Sequence, residues 1–385
     1  MRRRAPQISA LPIRRLAALA AVSALAGGLV AACAGSSGSV TPAASGRAQA
    51  ASVVASGPAT ASAVASPPQS VALRDLAGSR YFGSAVSMPQ LTADPAYADL
   101  ARGQFSQVTP ENAMKWALVE PTRGQFTWDD ADSIVAFAQA HGQKVRGHTL
   151  LWHNQLPDWL TGGNYDKKQL SAILQQHIAA EAGRYAGKIY AWDVVNEAIA
   201  DDGSMRPSMW LATIGPEYIA DAFKWAHAAD PAAELYINDY NVEGVNAKSD
   251  ALYELVRTLK SQGVPIDGVG FQAHFDIQNP FPADFADNMK RFAALGVEVA
   301  VTELDVRITL PSTANELTRQ ADYYGRTVAA CLAVPQCVGV TVWQFTDRQS
   351  WVPAVFPGEG EADLWDANLN PKPAVAAVAA ALSGK

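Results

Sequence analysis

The chain has 385 residues, with 30 Lys and Arg against 37 Asp and Glu, 49% hydrophobic and 17% charged residues. That balance describes a folded globular protein and excludes a wholly disordered one. Arg2, Arg3, Arg4, Arg14, Arg15, Arg47 and Arg74 all precede the first acidic residue, Asp75, so from there on the remaining 23 basic residues face all 37 acidic ones. Such an excess of negative charge argues against a nucleic-acid backbone as partner. All ten Trp and six His lie beyond position 80, which concentrates both core and chemistry in the later part of the chain.

Five arginines in the first fifteen residues are followed by an uncharged Ala, Leu and Val run over 16–32 that ends at Cys33. A stable spanning helix needs about 20 strongly apolar residues, so 1–32 reads as an export signal in preference to a retained anchor. Val30-Ala31-Ala32-Cys33 resembles a lipoprotein cleavage box, which implies lipidation of Cys33; an ordinary cleaved signal is the alternative. Arg14-Arg15-Leu16 loosely resembles a twin-arginine signal. Residues 33–70 are mostly Ala, Ser, Gly, Thr, Val and Pro and cannot bury enough apolar surface to offset the entropy of ordering, so they are expected to form a disordered linker. Residues 71–385 remain as one folded domain.

Within it, 81–87, 107–109, 144–151, 189–195, 234–238, 268–274, 298–302 and 339–345 read as strands, several of them apolar on nearly every residue. Strands apolar on both faces belong to a covered parallel sheet. Amphipathic stretches such as 129–141, 167–186, 216–229, 246–262 and 316–332 alternate with them, and Gly142, Gly187, Gly263 and Gly296 supply helix stops. The alternation fits an α/β (β/α)8 TIM barrel or a doubly wound open sheet. Polar residues collect directly after the apolar runs, at Glu111-Asn112, His148, Asn196-Glu197, Asn238-Asp239, Gln272, His274, Glu303, Asp305 and Trp343. A barrel places such residues together at one mouth, and no G-x-G-x-x-G phosphate cradle follows a strand, so the barrel is the expected fold.

Glu197 ends the fourth apolar run and Glu303 the seventh, and these strands face each other across a barrel mouth. Breaking a glycosidic bond requires one acid to protonate the leaving oxygen and a second carboxylate to meet the positive charge developing at the sugar carbon. A lone strand-end Glu is more often a rim ion pair; two with polar neighbours point to chemistry. Trp116, Trp152, Trp343 and Trp351, just past strand ends, offer platforms for sugar C–H faces, whereas core packing better suits Trp225. His148 and His153 lack the partners of a metal motif and read as hydrogen-bonding groups.

The segments 107–116, 146–153, 192–197, 237–241 and 302–305, which carry Thr109-Pro110-Glu111-Asn112, Gly147-His148-Thr149, Val195-Asn196-Glu197, Asn238-Asp239-Tyr240-Asn241 and Glu303-Leu304-Asp305, together resemble glycoside hydrolase family 10, the endo-β-1,4-xylanases. The resemblance runs from about residue 76 to the C-terminus. It implies a retaining mechanism with Glu197 as acid/base and Glu303 as nucleophile, Asn196 on the sugar 2-hydroxyl, and His274 linking Glu303 to Asp305. By the same resemblance Glu111, Asn112, Lys115, His148, Trp152 and Gln272 hold the two sugars on the non-reducing side. Trp343 then underlies the reacting sugar, and Trp351 closes near C5, where xylose and glucose differ. Two departures stand out: the family usually has Gly after the tryptophan where this chain has Gln344-Phe345, and the loop 275–280 differs in form. Both are expected to bear on the leaving-group subsites.

Cys331 and Cys337 enclose a five-residue turn in a chain read as exported, so a disulfide is expected there. The reading calls for no cofactor and no metal. It makes xylan or xylo-oligosaccharide the partner of a monomer at the bacterial cell envelope, reaching the membrane only through a lipid anchor. A β-1,4-glucanase on the same barrel, or a cell-surface lipoprotein that binds oligosaccharides without cutting them, are the alternatives.

Overall fold

The computed structural model describes residues 72–384. The expected signal, Cys33 and the linker lie outside the described residues. The strands are β1 (Tyr81–Val86), β2 (Gln107–Pro110), β3 (Lys144–Leu151), β4 (Ala191–Asn196), β5 (Glu234–Asp239), β6 (Gly268–Phe271), a short β7 (His274–Asp276), β8 (Glu298–Thr309), β9 (Cys337–Val342) and a two-residue β10 (Glu359–Gly360). All except β7 and β10 pair in parallel in sequence order, and β9 returns to β1 through Tyr81↔Gly339 and Ser84↔Val342, which closes the barrel. The closed form explains the unbroken apolar runs: one face meets the barrel interior and the other the ring of helices.

The helices form where capping and periodicity direct. Asp166 with Gln169 caps the helix Lys167–Arg184, and Thr313 with Glu316 caps Ala314–Leu332, each as a reciprocal capping box. Gly142 and Gly263, at φ 63° and 70°, follow the ends of Asp129–Ala140 and Ala247–Ser261, where a left-handed residue is required. The helix Pro373–Leu382 packs on Ala314–Leu332 and on the short helix Leu73–Leu76, and so joins the first and last helices among the described residues. Cys331 and Cys337 form the expected disulfide between the long helix and β9.

Three strand ends differ from the sequence reading by three residues or more. The expected sixth strand over 268–274 is interrupted, because Ala273 adopts φ 62° and its N–H donates to Glu243 Oε1 at 2.7 Å instead of to a strand. The seventh strand does not stop at 302: β7 and β10 pair with its outer half, so it continues to Thr309. The eighth strand ends at Val342, ahead of Gln344 at φ 67°. All three lie at the C-terminal mouth, where side chains are re-aimed at a common space.

Candidate active site

That space is one open cleft of about 680 Å³. It is lined by Glu111, Asn112, Lys115, His148, Trp152, Asn196, Glu197, Gln272, His274, Glu303, Trp343 and Trp351, so the barrel brings together nearly every residue the sequence singled out. Asp305 sits one layer behind, 1% exposed. Trp116 is the exception: it is buried, its ring stacks 3.6 Å from His177 and 5.6 Å from Trp210, and its indole N–H donates to Glu120. It begins a helical turn, Trp116–Val119, that folds it into the core and away from the mouth.

Glu303 is held on every side. Asn238 Nδ2 donates to its Oε1 at 2.6 Å and His274 Nε2 to its Oε2 at 3.1 Å, while the other nitrogen of His274 donates to Asp305 Oδ2 at 2.9 Å. Burial by itself would lower the His274 imidazole, but the charges of Asp305 and Glu303 raise it to about 10. It is therefore an imidazolium at neutral pH that donates from both nitrogens. Burial would raise the Glu303 carboxyl, yet the neighbouring His148 and His274 hold it below its ordinary value. Behind His148 lies a buried ion pair, Arg146 with Asp193 at 2.5 Å, and His148 Nδ1 bonds Asp193 Oδ2 at 2.9 Å. Burial pushes the Asp193 carboxyl up, but Arg146 and then His148 bring it below its usual range.

Glu197 is held loosely. It follows β4 in a left-handed conformation, φ 57°, with its N–H donating to Asn238 O at 2.8 Å. Asn196 Nδ2 and Gln272 Nε2 each donate to its Oε1 at 3.3 Å, and His153 stands 3.9 Å from its Oε2. Burial lowers the His153 imidazole against the pull of Glu197, and Arg206 and Lys248 lower it further. The two glutamates are linked by amides: Asn238 Nδ2 also donates to Asn196 Oδ1 at 2.9 Å, and Thr302 donates to Asn238 Oδ1, which fixes the amide's orientation. A Cβ at Gly270 would collide with Asn238 Oδ1, so the bare glycine on β6 makes room for this bridge.

Also on the cleft wall, Lys115 Nζ lies 5.1 Å from the centre of the Trp152 ring and 5.7 Å from Trp343, and donates to Asn112 at 3.2 Å. Burial lowers the Lys115 ammonium, opposed by Glu111, Glu303 and Glu197. Trp351 lines the cleft and its indole N–H donates to Asp305 Oδ2 at 2.6 Å. Of the two departures, Gln344 is buried and bonds Glu111. The loop after His274 borders the cleft through β7, which pairs with β8.

Sequence reasoning missed Gln155, Arg307, Val355 and Phe356 on the rim, and the Arg146–Asp193 pair beneath it. Charged residues inside two otherwise apolar strands were the available signal for that pair; Val355 and Phe356 carry none.

A parallel barrel whose mouth holds two carboxyls joined by amides, one clamped and one free, between tryptophan faces is the arrangement of a glycosidase. The chain belongs to glycosyl hydrolase family 10, whose model matches residues 72–381. It is 50% identical over 299 residues to an endo-1,4-beta-xylanase of Agaricus bisporus, covering 77% of this chain and 90% of that protein. An endo-1,4-beta-xylanase A of Fusarium oxysporum is 45% identical over 307 residues, with 77% and 93% covered. Among solved structures, xylanase 10B of Thermotoga maritima superposes with a TM-score of 0.80 at 43% identity, over 82% of this chain and 98% of that one. Xylanase 10B of Thermotoga petrophila, in complex with xylobiose, has a TM-score of 0.80 at 42% identity, over 83% and 99%.

Proposed function

We propose that the chain is an endo-1,4-β-xylanase that cleaves internal bonds of xylan with retention of configuration. The observation that carries this is the unequal pair: Glu303 clamped by Asn238 and His274 and held below its ordinary carboxyl value by His148 and His274, Glu197 loosely held and more exposed. In the first step Glu303 attacks the anomeric carbon while Glu197 gives its proton to the departing glycosidic oxygen, leaving a glycosyl ester on Glu303. In the second, Glu197 takes a proton from water, the water oxygen bonds the anomeric carbon, and the ester bond breaks. Asn196, part of the same amide bridge, bonds the 2-hydroxyl, where a hydrogen bond strengthens as the sugar gains oxocarbenium character. Glu111, Asn112, Lys115, His148, Trp152 and Gln272 serve the non-reducing sugars, and Trp343 the reacting one.

The test is the anomer first released from a xylo-oligosaccharide, followed by proton NMR before mutarotation, together with new reducing ends on xylan. Initial β product with mixed oligosaccharides supports the reading. Initial α product overturns retention, preference for a cellobioside moves the chain to the glucanases, and binding without new reducing ends makes it a sugar-capturing protein. We further propose that the enzyme acts as a monomer outside the cytoplasm, tethered through a lipid on Cys33; support for the tether rests on the N-terminal sequence alone. Release of activity from membranes in Cys33→Ser is the expected outcome.

A further inference from the structure

Gln344 stands where the backbone is left-handed, φ 67°, and its side chain is completely buried. Non-glycine residues enter that region rarely, Gln without special advantage, so what the side chain does there needs a reason. Its Oε1 accepts from Tyr97 Oη at 2.7 Å and its Nε2 donates to Glu111 Oε2 at 2.6 Å. Tyr97 Oη in turn accepts from the Ser87 N–H at 3.4 Å, which commits its own proton to Gln344. The amide cannot be flipped without setting oxygen against the Glu111 carboxylate and NH2 against a hydroxyl that is donating. Every donor in the series Ser87, Tyr97, Gln344 points the same way, from the end of β1 to the cleft wall.

We propose that Gln344 is a positioning residue for substrate binding: it fixes one oxygen of Glu111 and leaves the other free to accept from sugar hydroxyls. The inference rests on the reading of Glu111 as a ligand of the non-reducing sugars. Glu111 is half-buried; that desolvation raises its carboxyl, and Gln344, Lys115 and Asn112 oppose the rise. The charged or titratable groups around it are Lys115 on its own segment, Tyr97 on the helix Pro95–Gln104, and Asp363 on the segment leading to the last helix. Without the Gln344 donor, Glu111 takes up a proton at higher pH and presents a hydroxyl where an acceptor is needed.

The experiment measures kcat and KM across pH for xylotetraose and for an activated aryl xyloside that occupies only the reacting-sugar subsite, in wild type, Gln344→Leu, Gln344→Gly and Glu111→Gln. Thermal melts accompany each variant. Gln344→Gly relieves the backbone conformation while deleting the amide, so it remains informative if the leucine variant does not fold. The expected result is a roughly 10-fold rise in KM for xylotetraose in both Gln344 variants, with kcat on the aryl xyloside unchanged. That KM should worsen further toward acid pH, starting at a higher pH than in wild type. If Glu111→Gln raises KM and the Gln344 variants do not, the proposal falls while the reading of Glu111 stands. If Glu111→Gln leaves KM unchanged, both fall. A uniform loss of kcat on both substrates in Gln344→Gly would also overturn it, since that outcome marks a purely structural residue.

Discussion

The two sides of the cleft are built on opposite plans. On the β8 side Glu303 is 6% exposed at its side chain and lies within a dense set of charges and donors that reaches inward through His148, Asp193 and Arg146. On the β4 side Glu197 is 14% exposed, accepts two long amide bonds, and faces a histidine that burial makes harder to charge. A group that must stay ionised to attack needs charge-assisted bonds that penalise protonation. A group that must gain and lose a proton in each turnover needs partners that prefer neither state. On the proposed reading, the same residue type acquires two roles from its surroundings.

The sharpest way to break this comparison is to delete each carboxyl. On the proposed reading Glu303→Ala loses about four orders of magnitude or more in kcat on every substrate, because no glycosyl ester can form. Glu197→Ala keeps much of its first step on an aryl xylobioside whose leaving group needs no protonation, and loses it on xylan. Burst kinetics with the aryl substrate measure this, and equal losses in both variants would erase the distinction between the sides.

A second prediction addresses the buried support of the clamped side. Asp193→Asn leaves the Arg146 guanidinium, 1% exposed, without its counter-charge. Removing one partner of a buried pair costs about 3 to 5 kcal/mol, so urea unfolding should show that loss together with weakened activity, since His148 also loses its anchor. The corresponding amide change at Glu197, Glu197→Gln, should leave stability nearly unaltered while abolishing hydrolysis of xylan.

The third prediction concerns pH. His274 is raised from 6.5 to about 10 in the fold. Its contribution to stability is therefore complete below its unfolded value of 6.5 and is lost as pH rises through about 10. Glu303 is depressed, so its contribution is present above its unfolded value and lost as pH falls through its lower folded one. The acid limb of kcat/KM should lie below the ordinary glutamate range. In His274→Asn, which removes the cation, that limb should move up by about one pH unit or more. An unmoved limb would mean that Asn238 and His148 alone hold the charge.

This asymmetry was half legible in the sequence. The strand-end glutamates, the barrel and most of the cleft wall follow from apolar runs with polar residues immediately after them, because a closed parallel sheet leaves nowhere else for those residues to go. The pairing of Arg146 with Asp193 lies in the same strands but depends on register across β3 and β4, where His148 sits opposite Asp193, and a single sequence does not display register. The Ala273 break and the Gln344 side chain escaped for a different reason. Both rest on left-handed residues that are not glycine, and nothing in residue type marks an Ala or Gln as left-handed. Trp116 was misread because its nearness to a strand end says where the backbone is, and a single helical turn then decides which way the ring faces.

The smallest expected effect concerns a residue that faces both the clamped side and the sugar. Trp351 presents its ring to the cleft, 5.0 Å from the His274 ring, and its indole N–H donates to the same Asp305 oxygen that anchors His274. Trp351→Ala should remove both features, and Trp351→Phe only the second. If the ring excludes the hydroxymethyl group by which glucose exceeds xylose, the alanine variant should narrow a roughly 10- to 200-fold preference for an aryl xylobioside over the cellobioside, mainly by admitting the cellobioside. The phenylalanine variant should keep that preference and lose about 10-fold in kcat on both substrates, the worth of one hydrogen bond to a charged group. Losing that bond leaves Asp305 with less to hold it, and through His274 the effect reaches Glu303. Selectivity unchanged in Trp351→Ala would assign the tryptophan wholly to the clamped side, as a donor to Asp305 and nothing more. An unchanged kcat in Trp351→Phe would assign it wholly to the sugar.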